Sequence, residues 1–427
     1  MFKLKYIVIL SCIISISCST TKPIVPEAQA PEEEQIPDTT IVPKPVITGL
    51  ENFLENYLYL VKGKRVGLVT NPSSIDRNFN LTTDLLYKNS QINLTTLFAL
   101  EHGIRGDISA GQIIPDQRDS KTGLPVFSLY GKTKKPTTEM LQNIDVIIFD
   151  IQDVGVRSYT YISSMGMILE TAAENNIEMI ILDRPNPLGG IEIEGNILKN
   201  EYKSHIGYYN IPYRHGMTIG EIAKFYNTED SINAKLTVVP MLNWKRDMLW
   251  DRTELPWIPT SPHVPHWQTT LLLPMTGTIG ELQAVNIGVG YTSPFEMIAA
   301  PWINADSLAD SLNNLNLPGL WFQPVHFKPY YAVYKNESCH GVHIYITNNK
   351  IYKPFISGLY ILKTLMRLYP AHNIFEFRDR IKSFNLAMGG TGIYDGLTSG
   401  KSVEQIKQEW HDDLSHFLKI REKYLLY

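Results

Sequence analysis

The chain has 427 residues, 44% hydrophobic and 19% charged, with a formal net charge of −4. That length exceeds one ordinary domain and leaves room for a sizeable core. The near-neutral balance, with no basic run and no aromatic-basic interleaving, excludes a nucleic-acid surface.

The N-terminus reads as an export signal. Lys3 and Lys5 precede an apolar run at 6–16 that is too short to be a permanent membrane span, and Ser15-Ile16-Ser17-Cys18 closes it with small residues before a cysteine. The pattern is similar to a bacterial lipoprotein signal. Cys18 would then be the lipidated first residue of the mature protein, and contact with the membrane would come through the lipid anchor alone. Ile9-Leu10-Ser11-Cys12 is a weaker match, and a plain secretory signal is the alternative. Losing Lys3 and Lys5 takes the formal charge from −4 to −6. Of the three cysteines only Cys339 then lies in the body of the protein. A lone thiol in an exported chain forms no internal disulfide, so Cys339 reads as buried and inert.

Residues 19–47 are rich in Pro, Glu and Thr and cannot bury enough apolar surface to fold; they read as a disordered tether. From about Gly49 apolar strands alternate with helical patterns, which predicts a parallel sheet with crossovers. Strands are expected at 65–70, 94–100, 146–150 and 179–183, and helices at 81–87, 138–142 and 162–175. Residues 195–301 read as loop-heavy. Beyond them a helix is expected at 307–315, a half-buried strand at 341–346, a helix at 355–368 and a helical segment at 403–424. The fold class is α/β: a Rossmann-like parallel-sheet domain at 48–200, with about 300 as its outer limit, and a smaller α+β domain at 201–427 that completes a cleft.

Each strand ends in a polar cluster: Asn71-Pro72-Ser73-Ser74, Glu101-His102-Gly103, Asp150-Ile151-Gln152-Asp153 and Asp183-Arg184-Pro185-Asn186. In open parallel sheets ligands bind outside these carboxyl ends. Glu101 is the first candidate for chemistry, since an apolar strand breaks there into a carboxylate, a histidine and permissive glycines; a loop anchor is the alternative. Asp150 and Asp153 pair as acids that divide catalytic roles, or else serve a capping network. Arg105 suits an anionic substrate group, because its guanidinium binds oxygens in a fork. Arg157 with Tyr159 and Tyr161 offers an anion contact and a ring to stack on, against a packing role. Asn71, His102, Gln152, Arg184 and His215 complete the substrate-binding candidates. Thr218 and Glu221 have capping-box spacing, and so do Ser293 and Glu296, so both glutamates are read as structural.

No cofactor or metal is expected. GxGxxG does not follow the first strand, GxSxG and HExxH are missing, and His263-Val264-Pro265-His266 lies in a proline-stiffened loop. The run 396–402 resembles a P-loop, but its glycine spacing is one residue short and no apolar strand precedes it.

Taken together, Val69-Thr70-Asn71-Pro72-Ser73, Glu101-His102-Gly103-Ile104-Arg105-Gly106, Thr122-Gly123-Leu124-Pro125-Val126, Ser128-Leu129-Tyr130-Gly131, residues 150–155 with Tyr159-Thr160-Tyr161, Asp183-Arg184-Pro185-Asn186-Pro187 and His215-Gly216-Met217-Thr218 resemble the NamZ-type exo-β-N-acetylmuramidases. The resemblance runs from about residue 49 to the C-terminus. It implies release of terminal β-1,4-linked N-acetylmuramic acid from peptidoglycan fragments in a cleft between the two domains, with Glu101 as catalytic acid. One stretch departs. Where many members carry Asn followed by a Gly-Arg-Gly-Thr run before Pro-Phe-Glu, this chain has a shorter loop without the arginine, Asn286 to Glu296.

The expected function is an exported, periplasm-facing lipoprotein glycosidase. Glu101 would protonate the leaving oxygen, a role that calls for partial burial or a neighbouring acid. Asp153 or Asp150 would assist, and Arg105 or Arg157 would read the lactyl carboxylate. A non-catalytic envelope-glycan-binding lipoprotein is the rival; an esterase or amidase lacks its nucleophile signature.

Overall fold

The four apolar runs predicted as strands sit side by side in one sheet, because each is buried on both faces and needs a neighbour on either edge. The computed structural model describes residues 44–106, 117–131 and 133–427. The export signal, Cys18 and the tether up to residue 43 lie outside the described residues. The strands in chain order are β1 (Arg65–Thr70), β2 (Asn93–Ala99), β3 (Gln117–Arg118), β4 (Pro125–Ser128), β5 (Val146–Asp150), β6 (Glu178–Leu182), β7 (Glu194–Ile197), β8 (Pro212–Arg214), β9 (Leu236–Val239), β10 (Met297–Ala300), β11 (Leu320–Phe327) and β12 (Cys339–Ile346).

The main sheet has seven strands in the order β3-β4-β2-β1-β5-β6-β9. All pairs are parallel except the short edge pair β3 and β4. Side chains along β5 alternate between two cores: Ile147 and Phe149 face helices Thr160–Glu174 and Ile219–Glu229, while Val146 and Ile148 join Leu50, Phe53 and Leu86 on the other side. This is a three-layer α/β architecture. At Gly49, a Cβ would fall 2.2 Å from the Asp183 nitrogen, so only glycine lets the first helix start against the end of β6.

The smaller second domain is built on the antiparallel sheet β10-β12-β11. Its core, with Phe322, Val342, Phe355, Leu359 and Phe384, also takes in Val154, Val156, Leu188 and Tyr213 from the first part of the chain. The two layers therefore share packing directly beneath the carboxyl rim of the main sheet. Cys339 is buried, and burial pushes its thiol up to about 11, which keeps it unreactive.

Several elements differ from expectation. The loop-heavy stretch holds the sheet strand β9, beyond residue 200, and the 15-residue helix Trp267–Glu281. That helix carries Pro274 and is buried almost all round, so it shows no amphipathic stripe to read. Residues 44–47, assigned to the tether, are packed: Val46 lies against Met241, Trp244 and Met248, and Ile47 bridges to Leu242. The Thr218–Glu221 capping box is present at helix Ile219–Glu229. Ser293 and Glu296 cap nothing; Glu296 instead meets His343 Nε2 at 3.2 Å. The P-loop-like run falls on helix Gly392–Thr398 and the capping box of Ser402 and Gln405. No described helix is long and apolar enough to cross a membrane.

Asp183, at the end of β6, is fully buried. It accepts hydrogen bonds from Thr218 Oγ1 at 2.7 Å, the Gly220 N–H at 2.8 Å and the Tyr427 hydroxyl at 2.8 Å, which fastens the C-terminal residue to the sheet. Burial, and then the charge of Glu221, push its carboxyl up to about 7. Between the ordinary carboxylate range and pH 7 the folded chain thus holds a proton that the unfolded chain has released, so stability falls as pH rises through that window. Urea midpoints measured from pH 5 to 7.5 should decline in the wild type. Asp183→Asn should be less stable throughout but with a flatter decline; an unchanged slope would assign the pH dependence to another group.

Candidate active site

Chain order reverses direction at β1. From there β2 and β4 extend the sheet to one side, while β5, β6 and β9 extend it to the other. The loops leaving the carboxyl ends of β1, β2, β4, β5 and β6 consequently splay apart and leave a crevice. All four predicted clusters lie along this rim, together with Tyr130, which follows β4.

Glu101 is partly exposed just beyond β2, on a tight turn closed by Gly103 N–H to Leu100 O at 3.1 Å. His102 and Gly103 both take positive φ, +74° and +75°. Such backbone is costly for histidine and free for glycine, and it turns the chain sharply just after Glu101, at the carboxyl end of β2. The Tyr130 hydroxyl donates to Glu101 Oε1 at 2.8 Å. His102 is buried beneath the turn.

Asp150 does not face the crevice. It is fully buried and forms a two-pronged ion pair with Arg184, whose Nη2 lies 2.9 Å from Asp150 Oδ2; Thr82 Oγ1 donates to the same oxygen. Arg184 is 4% exposed and also donates to Ile75 O at 3.1 Å. This pair braces the ends of β5 and β6 from inside. The charges of Asp150 and Arg184 thus answer each other, while Arg184 also lines a small cavity with Ser73, Ile75 and Gln152.

Asp153, three residues on, is placed differently. Its Oδ2 accepts from the Gly155 N–H at 2.7 Å and lies 3.4 Å from His215 Nε2, while Oδ1 has no hydrogen-bond partner among the described residues. His215 Nδ1 accepts from the Met217 N–H at 3.2 Å, which assigns the ring proton to Nε2, facing Asp153. Gln152 donates to the carbonyls of Asp153 and Pro185, and its Oε1 is likewise buried without a partner. Each is a buried acceptor of the kind that a water or a ligand group would bond.

Neither predicted anion-reading arginine is available. Arg105 grips Asp119 with two bonds of 2.9 Å and reaches Asp84 at 3.2 Å. Burial pushes the Asp119 carboxyl up, but Arg105 and Thr122 hold it down at about 2, a firm pair. Arg157 is buried and donates to the carbonyls of Asn196, Ile211, Ala387 and Met388 at 2.7 to 3.2 Å. It stitches the β7-β8 hairpin and helix Arg378–Met388 to the rim, the packing role that stood as the alternative to an anion contact. Tyr159 and Tyr161 meet edge-to-face at 5.0 Å and both bond Thr260, through its hydroxyl and its carbonyl. Asn71 Oδ1 is held by Ser73, and its side chain is in hydrogen-bonding reach of the Tyr161 hydroxyl.

The structure adds residues that pattern reading passed over. His205, on the tight turn between Ser204 and Gly207, and His263, from the proline-stiffened loop, are both close enough to feel the charge of Glu101. Burial, and then Lys134, hold the His205 imidazole down at about 4; burial, and then His102, lower His263. His205 and His263 thus lie within electrostatic reach of the carboxylate that His102 adjoins in sequence. Neither sits in a periodic segment, so no spacing rule could join them to it. Among the described residues, no group of three or more His, Cys, Asp or Glu is placed to hold a metal ion.

Two family models match consecutive parts of the chain. Residues 66–268 match the N-terminal domain of the exo-β-N-acetylmuramidase NamZ, and residues 271–427 match its C-terminal domain. A peptidoglycan β-N-acetylmuramidase NamZ from Bacillus subtilis is 47% identical over 382 residues, covering 90% of this chain and 91% of the relative. Among solved structures, a DUF1343 family protein from Bacteroides fragilis is 44% identical and superposes with a TM-score of 0.85, covering 90% of this chain and 99% of the other. A second DUF1343 family protein from the same organism is 31% identical, with a TM-score of 0.69 and the same coverage.

The Asp150–Arg184 pair provides a stability test. Arg184→Met leaves a buried carboxylate unanswered and should cost about 3–5 kcal/mol in urea unfolding. The double variant Asp150→Leu/Arg184→Met should recover part of that loss. A single variant that stays fully stable but loses ligand binding would return Arg184 to the cleft.

Proposed function

Because the chain belongs to the NamZ exo-β-N-acetylmuramidase family, and on that footing is a glycoside hydrolase, we propose that it releases terminal β-1,4-linked N-acetylmuramic acid from the non-reducing end of peptidoglycan fragments, with Glu101 as general acid. The observation that carries this reading is the placement of Glu101: a strand-end carboxylate on the rim of the crevice, held by the Tyr130 hydroxyl and within electrostatic reach of His205 and His263.

Cleavage of a glycosidic bond needs a proton for the departing oxygen and a carboxylate to answer the positive charge that develops at the anomeric carbon. In this reading Glu101 supplies the proton. Asp150 is a poor second carboxylate, since Arg184 already answers its charge. Asp153 takes that part: its Oδ2 is held by the Gly155 N–H, with His215 Nε2 3.4 Å away, and its Oδ1 is buried with no partner among the described residues, an acceptor for a sugar group that reaches it. Gln152 Oε1 is a second acceptor for the acetamido N–H. With Arg105 and Arg157 engaged elsewhere, the lactyl carboxylate falls to His205 and Lys134, and the partly exposed Tyr159, backed edge-to-face by buried Tyr161, offers an apolar surface for the ring. An envelope substrate accords with an exported, periplasm-facing lipoprotein anchored through Cys18, which belongs to the same proposal.

Incubating defined muropeptide fragments with the enzyme and with Glu101→Gln tests the assignment. The wild type should release free N-acetylmuramic acid, and the variant should lose about 10²–10⁴-fold in rate while keeping the wild-type unfolding transition. Near-normal turnover by the variant removes Glu101 from the role. No release by the wild type, with retained binding, would favour a glycan-binding protein.

A further inference from the structure

The loop that departs from the family pattern, Asn286 to Glu296, does not stand alone. It forms the bed of a second loop, residues 328–338 between β11 and β12. Asn286 Nδ2 donates to Val333 O at 2.8 Å, and the Tyr330 N–H donates to Gly290 O at 2.8 Å. A Cβ at Gly290 would lie 2.0 Å from the Tyr331 carbonyl oxygen, so the contact requires glycine there. The supported loop is under strain: Ala332, Tyr334 and Asn336 all hold positive φ, between +61° and +64°.

That strained loop lifts two tyrosine rings into solvent. Tyr330 is 68% and Tyr331 49% exposed. Tyr330 stacks on Tyr291 at 5.9 Å, and Tyr291 in turn packs on Phe327. Tyr331 stacks on the His263 ring, with its hydroxyl 3.0 Å from His263 Nε2. His263 lies within electrostatic reach of Glu101. Tyr331, in contact with that histidine, and Tyr330 beside it therefore stand on the Glu101 side of the rim.

We propose that Tyr331 and Tyr330 form an aromatic platform for the sugar on the leaving side of the scissile bond. The inference rests on the glycosidase reading above. A general acid must lie against the leaving oxygen, so the departing sugar extends on the side of Glu101, where these rings stand. A pyranose ring presents an apolar C–H face, and rigid tyrosines cover such a face at little entropic cost.

Calorimetry on Glu101→Gln, titrated with N-acetylmuramic acid and with the β-1,4-linked disaccharide N-acetylmuramyl-N-acetylglucosamine, tests the proposal. The disaccharide should bind about ten-fold more tightly, the worth of one good stacking contact. Adding Tyr331→Ala should erase most of that ratio, and adding Tyr331→Phe, which keeps the ring and loses the hydroxyl, should retain it. An equal ratio with and without the Tyr331 ring overturns the platform, as does loss of affinity for both ligands alike. Hydrolysis of the disaccharide by the wild type is read in parallel: absent hydrolysis with the ten-fold ratio intact counts against the glycosidase reading alone.

Discussion

The buried pair of Asp150 and Arg184 is the constraint on which the rim depends. Two ions removed from water are tolerated only when they answer each other and their remaining bonds are satisfied. Here Thr82 and the Ile75 carbonyl complete the set, tying the loop after β1 and the helix that follows it to the ends of β5 and β6. The loop after β5 consequently leaves from a fixed point. Three residues later it delivers Asp153 against His215, with one oxygen held and the other unengaged. The acid that makes the frame is thus separated from the acid that can act.

A second buried cation joins the frame to the rest of the molecule. Among the described residues Arg157 has no carboxylate partner; its two terminal nitrogens donate to four backbone carbonyls from the hairpin and from helix Arg378–Met388, while its Nε is buried without a partner there. Burial holds it down at about 10, high enough to stay charged at neutral pH. Removing it would leave several carbonyls unpaired in the interior. Glu101, by contrast, is set by backbone, through the left-handed turn at His102 and Gly103. A rigid frame and a locally kinked acid are what positioning of a reacting group to within a fraction of an ångström demands.

Much of the frame was legible because its signals are local. A parallel strand buried on both faces is a continuous apolar run, so β1 and β5 were read to the residue and β2 and β6 to within one. The capping box at Thr218 and Glu221 was read for the same reason. Helix Trp267–Glu281 was not, since burial on every side erases the stripe that marks a helix. Roles of long side chains were the least legible. Arg105 and Arg157 are apt for an anion by type, yet each is claimed by partners distant in the chain, Asp119 and Ala387 among them. His205 and His263 carry no pattern, and only the fold brings them to Glu101.

The central claim is that Glu101 gives a proton to the leaving group, and leaving-group dependence reads that step directly. In Glu101→Gln, a 2,4-dinitrophenyl N-acetylmuramide, whose leaving group departs without protonation, should be cleaved at close to the wild-type rate. A 4-methylumbelliferyl N-acetylmuramide, whose leaving group is more basic, should be cleaved far more slowly. Equal losses on both substrates would contradict the account and place Glu101 in binding or structure instead of proton transfer.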